Sequence, residues 1–243
     1  MASKAAIVFG GKGALGSAIC SHLLTNIKFD RVVSVDYTSN TDGATDNIIL
    51  NNRTMMSARD KYNFIKAEVS KLKLAFDLIS CCAGGFAMGH LRDDDVFDKI
   101  RAMDDVCLDP AVMATSLSFE VGVVRKGGLV ILTGAHAAIS SSSSSNNNMI
   151  AYGLAKSSTH FLASTVSTDP MYLENHIKIV AIAPAIIDTP ANRQAAPGAD
   201  PSQWTKPHEI ALKYERLLTG AESFRSGSIL GVQGSGETIM WSM

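Results

Sequence analysis

No apolar run in this chain of 243 residues approaches the ~20 needed to cross a bilayer, so no membrane span is expected. Neither charge is in excess: 22 Lys and Arg face 23 Asp and Glu, a formal net charge of -1. That balance leaves no electrostatic footprint for DNA or RNA, and no nucleic-acid partner is expected. Cysteine is scarce. Cys20, Cys81, Cys82 and Cys107 show no CxxC spacing and no His/Cys cluster, so no metal site is read. Cys81 and Cys82 sit in an apolar run, where Cys behaves as a small hydrophobe. Residues 5–9 are apolar, but glycines follow at once and no cleavage site appears, so no signal peptide is read. These features together lead us to expect a reducing, cytoplasmic setting. What is present is ordinary globular composition, 46% hydrophobic and 19% charged, at a length suited to one α/β domain over residues 1–243.

Apolar runs of strand length recur at Ala5–Phe9, Arg31–Val35, Phe76–Cys81, Leu129–Thr133, Ile177–Ala183 and Ser228–Val232. A shorter run, Asn47–Leu50, reads as an edge-side strand. Most are continuous rather than alternating, as strands covered on both faces require. Helical periodicity lies between them: Leu15, Ile19 and Leu23 in one segment, Phe64, Ile65, Val69 and Leu72 in the next, and residues 151–168 in a third. The alternation predicts a Rossmann-like, doubly wound parallel sheet of about seven strands with helices on both faces. The run Ser140–Ser145 followed by Asn146–Asn148 reads as a solvated loop. Residues 191–207 hold Pro197, Gly198, Pro201 and Pro207 and read as a long loop over the substrate.

The first apolar run ends in Gly10-Gly11-Lys12-Gly13-Ala14-Leu15-Gly16. Glycines there let the backbone turn tightly and approach a pyrophosphate, whose charge then rests on the next helix N-terminus. Asp36 closes the second strand, 20 residues after Gly16. A carboxylate at that place accepts bonds from the ribose hydroxyls of NADH and repels a 2′-phosphate. Lys12 pulls the other way, since its ammonium can reach such a phosphate, so NADPH stays open as the alternative. Tyr152 and Lys156 are four residues apart and share a helix face. A phenol is a poor acid at neutral pH, and a nearby ammonium lowers its pKa. The pair reads as a proton donor and its partner.

With these motifs on view, the chain resembles the short-chain dehydrogenase/reductase family over essentially its whole length. Within that family it looks like the dihydropteridine-reducing branch. The supporting segments are the glycine turn with Ser17, Ala83-Gly84-Gly85, Lys126-Gly127-Gly128-Leu129, Tyr152-Gly153-Leu154-Ala155-Lys156, Asp188-Thr189-Pro190-Ala191-Asn192-Arg193 and Trp204-Thr205. The resemblance implies NADH as hydride donor, Tyr152 as proton donor beside Lys156, a dihydropterin substrate and a homodimer built on helix packing. It also implies a cofactor pocket lined by Ala83, Gly84, Gly85 and Pro184, and a substrate pocket with Phe86, Ala135 and Trp204. Phe86 stands where this branch usually has Trp. The family's usual Ser falls on Ile139 or Ser140 by spacing, or on Ala135 if Thr133-Gly134-Ala135 is matched instead. The branch lacks that Ser, in agreement with Ala135. The usual Asn is missing too, with Leu108 and Asp109 near its place. Two other functions stay open: reduction of a different carbonyl or pteridine, and NAD(H) sensing without chemistry.

Overall fold

Strand β1 (Ala5–Phe9) is buried at every residue, and its alternate side chains serve different cores. Ala5, Ile7 and Phe9 enter one apolar cluster, while Ala6 and Val8 enter another on the opposite face. A strand covered on both faces reads as a continuous apolar run for this reason. The computed structural model describes residues 3–51, 57–139 and 147–242. Its other strands are β2 (Arg31–Asp36), β3 (Asp46–Ile49), β4 (Phe76–Cys81), β5 (Val124–Thr133), β6 (Lys178–Pro184), β7 (Ile229–Gln233) and β8 (Met240–Ser242). They form one sheet in the order β3-β2-β1-β4-β5-β6-β7-β8.

All pairings are parallel except that of β7 with β8. The doubly wound expectation is met, with one strand more than the seven expected. The extra strand, Met240–Ser242, is three residues long and too short to show a period. The run expected at the edge is β3, and it is the edge.

Helices α1 (Ala14–Thr25) and α8 (Pro207–Thr219) cover one face through Leu15, Ile19, Leu23, Ile210, Tyr214 and Leu217. Helices α2 (Ala58–Leu72), α4 (Asp109–Ser118) and α5 (Ile150–Val166) cover the other through Ile65, Val69, Ala111, Leu117 and Ala163. Sequence chemistry sets where helices begin and stop. Ser57 and Asp60 form a reciprocal cap at the start of α2. At the end of α8, Gly220 takes a left-handed conformation with φ +73. Helix α3 (Val96–Met103) runs into α4 through a wider turn, Asp104–Leu108, in which the helix takes up an extra residue.

The segment expected as a long loop after β6 is partly helical. Thr189 caps α7 (Pro190–Ala195) by accepting from the Asn192 amide, with Pro190 at the first helical position. A short 3₁₀ turn follows at Pro201–Gln203. The five-residue helix α6 (Pro170–Glu174) completes the set. Ser140–Ser145 and Asn146 lie outside the described residues. No helix among the described residues is long and apolar enough to cross a membrane.

Candidate active site

Strand order reverses between β1 and β4, because β2 and β3 lie to one side of β1 and every later strand to the other. In sheets of this kind the crevice for a ligand opens at the carboxyl ends of those two strands. Gly10 follows β1 with φ +75, and a β-carbon there would stand 2.6 Å from Ala83 Cα, just past β4. Only glycine fits that crossing. Gly16, in the first turn of α1, packs directly on the Gly10 carbonyl. Helix α1 starts at Gly13 with no side-chain cap and no acidic residue in its first turn. Its amide end is therefore left to attract a negative group, with exposed Lys12 and Ala14 at its mouth. Leu15 points into the core beneath, so it serves the turn through its backbone.

Asp36 is held beside this turn. Its carboxylate accepts from the Lys12 amide at 2.9 Å and from the Tyr37 amide at 2.7 Å. Asn40, which no motif marks, is buried and donates to the Gly11 carbonyl at 2.8 Å while accepting from Gly43 at 3.1 Å. It fixes the glycine turn from below. A small cavity of about 50 Å³ next to Asp36 is lined by Phe9, Tyr37, Leu50, Lys61 and Ala83. These residues fit a dinucleotide: an uncapped helix end for the pyrophosphate, a carboxylate for the ribose, an apolar slot for the base.

At the other end of the crevice, α5 presents Tyr152 and Lys156 one turn apart. The Lys156 Nζ donates to the Thr133 carbonyl at 2.7 Å and lies 5.9 Å from the centre of the Tyr152 ring. Phe86, half exposed, meets the Tyr152 ring edge to face at 5.1 Å and 73°. Gly84 passes close enough to Lys156 that a β-carbon would be 3.4 Å from Nζ. Burial pushes the Tyr152 phenol above its usual range, and the Cys107 thiol acts in the same direction. The net lowering expected from the spacing is not met: burial of the phenol dominates, with the Lys156 ammonium bonded to Thr133.

Cys107, just before the Leu108 and Asp109 to which sequence matching points, places its sulfur beside Gly84 and Gly85. The extra residue in the Asp104–Leu108 turn rotates the helix and aims this buried thiol at Gly85, whose amide lies 3.4 Å from the sulfur. The reading of Cys81 as buried holds, while Cys82 is only partly buried. Ala135 is buried just past β5, and its amide donates to His160 Nε2 at 3.2 Å. Pro184 ends β6 and is buried. Trp204 is buried within the segment that Thr205 pairs to Ile187, and the ring packed on Tyr152 is that of Phe86. Sequence reasoning missed Cys107, Asn40 and His160, since each acts through contacts distant in the chain. A larger cavity of about 600 Å³ lies between Phe29, Gly127, His176 and Phe224, away from all of these residues.

Residues 4–200 match the profile of the short chain dehydrogenase family. The chain is 26% identical over 241 residues to the dihydropteridine reductase of Dictyostelium discoideum, covering 99% of each chain. Among solved structures it resembles a short chain dehydrogenase family protein from Francisella tularensis, with a TM-score of 0.77, 18% identity and coverage of 95% and 97%. It also resembles a short-chain dehydrogenase/reductase from Serratia marcescens, with a TM-score of 0.76, 20% identity and coverage of 95% and 96%. BdcA, solved in complex with NADPH, gives a TM-score of 0.73 at 19% identity, with coverage of 96% and 93%. With a Rossmann-like sheet, a glycine turn at its switch point and a Tyr/Lys pair across the crevice, this chain belongs to the short-chain dehydrogenase/reductase family of NAD(P)H-dependent oxidoreductases.

Proposed function

We propose that this protein is an NADH-dependent reductase of quinonoid dihydropterins. One observation carries the reading: Tyr152 and Lys156 face a crevice in which the aromatic Phe86 packs on Tyr152 and Ala135 follows Thr133-Gly134. A hydroxyl that grips a carbonyl is not needed for an imine that is already electrophilic, so Ala135 suits a pterin. A flat ring stacks on Phe86 at small cost in side-chain entropy. The similarity to the Dictyostelium reductase supports the same substrate class.

In this reaction the substrate would gain a hydride and a proton, with oxidation of the hydride source to NAD⁺ balancing the electrons. Bound in this cradle, the dinucleotide supplies the hydride. The chain's own residues do the rest. The α1 N-terminus and Gly10 to Gly16 hold the pyrophosphate, Asp36 holds the ribose, and Ala83, Gly84, Gly85 and Pro184 line the crevice. Tyr152 gives the proton from its hydroxyl. Lys156, fixed by Thr133, holds a positive charge near the Tyr152 ring that would make this transfer easier. Trp204 and residues 191–207 close over the pterin and keep water out. Asp36 favours NADH. The exposed Lys12 keeps NADPH as a second cofactor.

Two copies of the chain pair through exposed Phe97 on α3 and exposed Leu154 and Phe161 on α5. Light scattering on the intact protein checks this pairing. For the activity, NADH oxidation is followed at steady state with quinonoid dihydropterin and, separately, with simple ketones. Turnover of the pterin alone supports the reading. Turnover of ketones alone points to a general carbonyl reductase, and NADH binding without turnover of either points to a sensor.

A further inference from the structure

Helix α5 carries Tyr152, Lys156 and His160 at intervals of four, so the three side chains leave along one face. The first two belong to the proposed reaction; the third does not, yet it is buried. Thr133, the last residue of β5, and the two residues that follow it all touch this face. Thr133 receives the Lys156 ammonium on its carbonyl at 2.7 Å. Gly134 lies flat against the His160 ring, with no room for a β-carbon. Ala135 donates its amide to His160 Nε2 at 3.2 Å. This segment is also tied to the sheet, by Thr133 Oγ1 to the Cys81 carbonyl at 2.8 Å and by the Gly134 amide to the Ile182 carbonyl at 2.7 Å.

We infer that His160 is a positioning residue: by holding the Ala135 amide it fixes the Thr133 carbonyl, and through that carbonyl it sets where the Lys156 charge stands relative to Tyr152. An acceptor nitrogen must carry no proton, so the ring is neutral with its hydrogen on Nδ1. Burial, and then the Lys156 charge, keep it so by lowering its pKa to about 4. The groups that act on Tyr152 across this face are Lys156 on its own helix and Cys107 on the turn before α4. The inference rests on Tyr152 and Lys156 being the acid pair.

The test compares the pH dependence of kcat, per NADH-binding site, in wild type, H160Q, H160N and Y152F. Gln reaches the Nε2 position with an oxygen acceptor; Asn is too short. H160N is expected to lower kcat by roughly tenfold and to move the alkaline limb upward by about half a pH unit or more, because a displaced ammonium favours the phenolate less. The NADH Kd is expected to stay within about twofold, and H160Q is expected to keep the wild-type limb. If the limb is unmoved in H160N, or if H160Q and H160N behave alike, the inference is overturned. Wild-type kcat in Y152F overturns the acid-pair reading itself, separately from His160. Should H160N not fold, ring ¹⁵N shifts of the wild-type protein decide: an Nδ1–H tautomer with an acceptor Nε2 supports the inference, and an Nε2–H tautomer overturns it.

Discussion

The Lys156 ammonium is bonded to the Thr133 carbonyl at 2.7 Å, which joins the middle of α5 to the carboxyl end of β5. A lysine held in this way cannot swing out into solvent, and its charge stays within reach of the Tyr152 ring, 5.9 Å away. The two side chains therefore form one unit with the strand end.

Removal of either member should disable that unit. Tyr152→Phe and Lys156→Met are each expected to lower kcat by about 10²- to 10⁴-fold. The double variant should cost little more than the worse single, because each needs the other. Steady-state kinetics on the three variants check this, and additive losses would show independent roles.

Asp36 is expected to set the cofactor. Its carboxylate lies at the Lys12 amide, where a 2′-phosphate would meet like charge. Wild type should bind NADH more tightly than NADPH, and Asp36→Ala should narrow that ratio by about tenfold, or ~1.4 kcal/mol. Fluorescence titration of both cofactors measures it. An unchanged ratio would show that Asp36 does not set the preference, and equal or tighter NADPH binding by wild type would show that Lys12 outweighs it.

His160 links the site to acid stability. Its pKa falls from 6.5 to about 4 in the folded protein. Between those values the unfolded chain binds the proton and the folded chain does not. Its contribution is thus complete above about pH 6.5 and is lost as pH falls toward 4. H160Q, which cannot titrate, should lose less stability than wild type over that window, by on the order of 2 kcal/mol. Urea unfolding at a series of pH values tests the difference, and parallel curves would refute it.

Trp204 bears on the pterin side. The Trp204→Ala protein should show a raised KM for the pterin and a nearly unchanged NADH Kd, since the pyrophosphate is held by residues 10–16. Trp204 is buried, so truncation is expected to cost about 3 kcal/mol or more of stability, and the assay belongs well below the lowered Tm. Lost NADH affinity with an unaltered pterin KM would place the loop with the cofactor.

The strands are legible in the chain because each central one is covered twice, which leaves unbroken runs such as Ala5–Phe9 and Phe76–Cys81. The glycine turn is legible because backbone crowding at Gly10 and Gly16 admits no other residue. The Tyr152 and Lys156 pair is legible because one helical turn alone sets its spacing. Local rules of this kind act over a few residues, and a sequence displays them directly. The sequence does not display what depends on contacts between distant segments. The bonds of His160 to Ala135 and of Asn40 to Gly11 span 25 and 29 residues and leave no periodic trace. Cys107 reaches Gly85 only because one extra residue in the turn before α4 rotates the helix. The state of Tyr152 follows the same logic. Spacing brings an ammonium near the phenol, but packing turns that ammonium to Thr133 and buries the ring, so the phenol is driven upward rather than down. Helical spacing puts two residues on one face; which partner each side chain then takes is settled by the strand ends and turns that the fold brings against that face.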